Sequence, residues 1–208
     1  MSGPASHFLP TALAFWLALS LVFLGRKARP GAVRLAVSLV AAAVVPFIPF
    51  RGWMLFQWVA VLEPEPSVTV MALLFAGLVS RAGGPKLLRS CDWNSAWAFG
   101  ATASLLLFPT TIGLSSVDIY SWGWCKGFAL AVGLLAMGLL LKGNRLGVVL
   151  LIGLLVYFLR TGESNNAWDV LIDPLYGAAS LVVVFSRIIF SRVDPKSQIQ
   201  RLKKFLQN

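Results

Sequence analysis

Residues 160–177, RTGESNNAWDVLIDPLYG, separate two long apolar runs with seven side chains capable of polar or aromatic recognition: Glu163, Asn165, Asn166, Trp168, Asp169, Asp173 and Tyr176. Three of the eight acidic residues of the 208-residue chain fall here. The flanking runs, 146–159 and 174–190, do not alternate apolar and polar residues as half-buried or barrel strands do, so they read as helices. Asp173 before Pro174 is a helix start, with a carboxylate at the N-cap and proline at the first helical position.

The same pattern extends through the chain. Hydrophobic residues make up 58% of it and charged residues 12%, about half the charged share of an ordinary soluble domain. Apolar runs at 8–24, 31–50, 67–80, 93–112, 127–141, 146–159 and 174–190 approach the roughly 17–25 residues that cross a bilayer as a helix. The expectation is an all-α, polytopic integral membrane bundle of about seven transmembrane helices. It forms a single domain over 1–193, with an additional interfacial helix at 53–62. All basic residues except Arg51, Lys126 and Arg160 then fall on one side. By the positive-inside rule this puts the N-terminus outside and the C-terminus in the cytoplasm. Compact loops and the absence of an N-x-[ST] acceptor point to a bacterial cytoplasmic (inner) membrane. The tail 194–208 alternates Arg201, Lys203 and Lys204 with apolar residues, which suits a basic amphipathic helix on an anionic membrane surface.

The net charge of +10 is dispersed in short clusters between apolar runs, not gathered into a nucleic-acid footprint, so no nucleic-acid partner is expected. His7 is the sole histidine and Cys91 and Cys125 the only cysteines. Histidine-based triads and zinc centres therefore lack material, and neither a cofactor nor a metal is expected. Nucleotide, dinucleotide, zincin and nucleophile-elbow motifs do not occur.

Three segments share the expected outer face: 63–66, 115–126 and 163–176. From them come the candidate binding residues Glu163, Asn165, Asn166, Asp169, Asp173, Asp118, Trp122 and Trp124. Carboxylates with amide oxygens suit a head group, a sugar or a hard cation, and the tryptophans suit an interface. Simpler roles compete: Asp173 and Asp118 as helix caps, Trp122 and Trp124 as anchors. Within the run 93–112, Ala96, Gly100 and Ser104 recur at four-residue spacing, which lets helices approach closely. No ionisable group lies mid-run, which argues against coupled transport. The expected function is a non-catalytic accessory or scaffold subunit of a membrane or cell-envelope assembly, in contact with membrane lipids and a protein partner or further copies of itself. A small transporter or lipid flippase is the alternative. A membrane enzyme using the outer carboxylates on a lipid-linked substrate is the third reading.

Overall fold

Helix starts in this chain are written in capping chemistry. A computed structural model, describing residues 9–25, 30–62, 64–159 and 164–193, shows side-chain caps at several of them. The Ser67 hydroxyl accepts from the Val70 N–H at 3.2 Å and opens a helix at Val68–Arg81. Asp92 accepts from the Arg89 N–H at 2.8 Å and opens Ser90–Thr111. The Asn166 carboxamide accepts from the Trp168 N–H at 2.9 Å and opens the short helix Ala167–Leu171. Asp173 accepts from the Tyr176 N–H at 2.7 Å and opens Pro174–Val193. Each carboxylate or hydroxyl satisfies a backbone donor that the first helical turn leaves without an intrahelical partner.

In chain order the helices are α1 (Leu9–Leu24), α2 (Ala32–Val44), α3 (Leu55–Leu62), α4 (Val68–Arg81), α5 (Ser90–Thr111), α6 (Lys126–Leu141), α7 (Leu146–Leu159), α8 (Ala167–Leu171) and α9 (Pro174–Val193). Between α2 and α3, β1 (Pro49–Phe50) pairs antiparallel with β2 (Trp53–Met54), with Phe50 opposite Trp53. Arg51 and Gly52 turn this hairpin with φ of 50° and 85°, the positive values a two-residue hairpin turn requires. The apolar run 31–50 is thus one helix only as far as Val44. A 3-10 turn at Val45–Phe47 contains Pro46, which offers no N–H to continue the ladder.

The main core lies among α4 to α9, where Ala136, Leu150, Leu171, Trp168 and Tyr176 are buried. A smaller cluster of Leu17, Leu24 and Leu78 fastens α1 and α2 to α4. Helices α5 and α9 cross tightly. A Cβ built at Gly100 would lie 2.8 Å from the Tyr176 ring and 2.9 Å from Ser180 Cβ, and one at Gly177 would lie 3.2 Å from Ser104 Cβ. The small residues Ala96, Gly100 and Ser104 are therefore used inside this chain, against α9.

The structure corrects the fold class. It is mostly helical, but among the described residues no helix is long and apolar enough to cross a membrane. The apolar helices α1, α4, α6 and α7 have 14 to 16 residues, so they rise only about 21–24 Å against a hydrocarbon core of about 30 Å. The 22-residue α5 has the length, but it carries Asp92, Asn94, Ser95 and Pro109. The polytopic membrane bundle is overturned, and with it the seven spans, the outside-to-cytoplasm orientation and the integral location in a bacterial inner membrane. Arg201, Lys203 and Lys204 of the tail lie outside the described residues.

Candidate functional site

The segment 164–176 forms a latch between the polar segment 115–126 and the start of α4. On one side the Tyr120 hydroxyl donates to Asp169, at 2.8 Å from Oδ2 and 3.0 Å from Oδ1. Asn166 Nδ2 donates to the Tyr120 carbonyl at 3.1 Å, and Trp168 Nε1 to the Ile119 carbonyl at 3.1 Å. Ser164 Oγ donates to Asp169 Oδ2 at 2.5 Å. On the other side Asp173 Oδ2 accepts from the Ser67 N–H at 3.0 Å while its Oδ1 caps α9. Burial first, and then the bond to Asp169, push the Tyr120 phenol up to about 12.

The candidate residues therefore divide. Asn166 and Asp169 meet Tyr120, Asp173 meets Ser67, and each spends its side chain on a bond within the chain. Asp118 caps the 3-10 turn Tyr120–Trp124 through the Ser121 N–H at 3.2 Å. Trp122 and Trp124 are half-exposed, at 50% and 55%, and Asn165 is exposed. Glu163 lies outside the described residues. Among the described residues no three His, Cys, Asp or Glu side chains are placed to hold a metal ion.

A second polar node, at the opposite end of α5, was not marked as a site by its sequence. Asp92, fully buried, accepts from the Arg89 and Arg145 backbone N–H groups at 2.8 and 3.1 Å and pairs with the Arg89 guanidinium at 3.3 Å. Burial alone would raise its carboxyl. The two backbone donors and the guanidinium outweigh burial and hold it below the usual carboxylate range. Arg145 Nη1 reaches back to the Lys86 and Leu87 carbonyls, at 2.9 Å each. Arg89 donates to the Gly143 carbonyl. The node ties the loop before α5 to the turn between α6 and α7.

Between α1 and α4 on one side and α5 and α9 on the other runs a groove of about 690 Å³, well within the roughly 300–1,000 Å³ of small-molecule sites. Its walls include Phe15, Leu73, Trp93, Trp97, Leu175 and Ala179; Asp173 lies on its lining, as do Arg81 and Arg187. Arg81 Nη1 donates to the Leu21 carbonyl at 2.8 Å and Arg187 Nη1 to Asn94 Oδ1 at 2.6 Å. The two arginines come from positions 106 residues apart in the chain, and neither stood out from the other basic residues. No protein-family model, curated protein or solved structure matches this chain.

Proposed function

We propose that the protein is a non-catalytic accessory or scaffold component that presents an apolar helical face to a partner protein. One observation carries the reading. Antiparallel α6 and α7 each expose a stripe at 4-3-4 spacing: Leu130, Leu134, Met137 and Leu141 on α6, and Val148, Ile152, Leu155 and Leu159 on α7. Leu134 is 66% exposed, Leu141 86% and Leu155 56%. That spacing is the seam of helix-on-helix packing, and exposed apolar stripes of this kind suit an interaction site. A shallow apolar groove of about 270 Å³ beside the α6 stripe, between α5 and α6, offers a slot for side chains of an incoming helix. The polar candidates support the same reading from the other direction. Asn166, Asp169 and Asp173 already have their partners inside the chain, so they hold the fold and are poorly placed to act on a substrate.

The test is tagged purification of the native chain against Leu134→Glu with Leu155→Glu. The expected result is a stoichiometric partner that crosslinks to α6 or α7 in the native chain and is lost from the variant, with the unfolding midpoint kept. A partner that stays with the variant but is lost on Trp122→Ser with Trp124→Ser would move recognition to the aromatic loop. A second reading follows from the exposed apolar residues of α2 and α9, including Val33, Val37, Val182 and Phe185. Lipid would cover part of the surface, a role that needs no helix to cross a bilayer. Flotation of the protein with vesicles, unaffected by Leu134→Glu, would favour it.

A further inference from the structure

We infer that the groove between α1/α4 and α5/α9 is a binding site for a single-chain anionic amphiphile, with its head at Arg81 and Arg187 and its chain running toward Asp173. The site lies away from the α6/α7 face and does not depend on the function proposed above.

The geometry sets length and polarity together. Helices α4 and α9 start side by side, because one Asp173 carboxylate binds the Ser67 N–H at the head of α4 and the Tyr176 N–H in the first turn of α9. Arg81 and Arg187 each stand thirteen residues beyond the first residue of their helix (68 to 81 and 174 to 187), a rise of about 20 Å. The groove between these levels is apolar, walled by Leu73, Trp93, Trp97 and Ala179. Water gains little from such walls and an alkyl chain gains much.

The charges decide which amphiphile fits. Among the described residues no carboxylate pairs with Arg81 or Arg187, and each shows one bond to a neutral oxygen. A guanidinium has five N–H donors and its fork matches a carboxylate or phosphate head. At the far end Asp173 has a backbone donor on each oxygen, so it is a poor counter-ion for a cationic head. The site is therefore polarised for an anion at the α4 C-terminus end, with an apolar chain filling the rest.

Equilibrium binding of palmitate, its uncharged counterpart cetyl alcohol, and acetate tests this. Palmitate should bind saturably at a single site, cetyl alcohol about tenfold or more weakly, and acetate not measurably, since charge-assisted bonds contribute on that scale only when the chain anchors the head. Arg81→Gln with Arg187→Gln should weaken palmitate by about tenfold or more and leave cetyl alcohol unchanged, whereas the paired lysine substitutions should retain part of the affinity. Ala179→Trp, which fills the groove, should abolish binding of both. The exposed Arg187→Gln alone, with a smaller loss, serves if the double variant does not fold. Equal affinity for acid and alcohol, unsaturable uptake, palmitate binding unchanged by the arginine substitutions, or binding that survives Ala179→Trp would each overturn the inference.

Discussion

The latch at 164–176 and the arginine end of the groove both set charged side chains beside apolar helices and do opposite things with them. In the latch, Asp169 takes the Tyr120 and Ser164 hydroxyls and Asp173 takes two backbone donors. At the groove, Arg81 and Arg187 stand beside apolar walls with a neutral oxygen each. Buried polar groups whose bonds are complete specify packing. Among the described residues neither arginine pairs with a carboxylate, which leaves guanidinium donors open to an anionic head. An acidic, amide-rich stretch between apolar helices therefore serves here as a fastening, and scattered basic residues form the recognising end.

This contrast can be broken in several places, and the largest effect is expected at the second fastening. Asp92→Ala should cost about 2–3 kcal/mol in urea unfolding, because two backbone donors lose their buried acceptor. Since folding holds the Asp92 carboxyl below its usual range, its contribution is complete above the unfolded pKa of about 4 and is lost as pH falls further. A native chain whose acid unfolding coincides with that of Asp92→Asn would contradict the assignment.

Next in size is the crossing of α5 and α9. Gly100→Leu should destabilise by about 1–3 kcal/mol through overpacking against Tyr176 and Ser180, read as a lower midpoint in thermal unfolding. An unchanged midpoint would mean that these helices do not approach as described.

The Tyr120–Asp169 bond should give about 1 kcal/mol of coupling in a double-mutant cycle with Tyr120→Phe and Asp169→Asn. Its pH signature runs the other way from that of Asp92. The Tyr120 phenol is raised from 10.0 to about 12, so this contribution is intact below pH 10 and fades as pH climbs toward 12. Ultraviolet titration should show a late tyrosinate step that Tyr120→Phe removes and Asp169→Asn brings earlier. The smallest effect belongs to Asp118→Ala, an exposed cap on a 3-10 turn, at about 0.5 kcal/mol.

Much of the helix layout was legible in the chain, for physical reasons. Apolar runs and capping residues act locally, so Asp173-Pro174 starts α9, and the runs at 127–141 and 146–159 carry α6 and α7. The apolar run 31–50 does not stay helical to its end, because Pro46 interrupts the ladder inside it. Hydropathy did not reveal what surrounds the helices. An apolar run looks the same whether it is a span or a 14-residue helix packed on its neighbours, and only its structured length separates the two. Long-range pairing was hidden as well. Asp92 meets Arg145 across 53 positions, and Asp173 meets Ser67 across 106. Asn166 and Asp169 were singled out for their chemistry, but the sequence could not show that Tyr120 would occupy them.

The most direct test of the claim that the latch fastens while the apolar face recognises is partner retention on tagged purification, compared between Asp169→Asn and Leu134→Glu. Asp169→Asn should keep the partner at its native stoichiometry, and Leu134→Glu should lose it. Loss of the partner with Asp169→Asn, at a temperature where that variant remains folded, together with full retention by Leu134→Glu, would contradict the account.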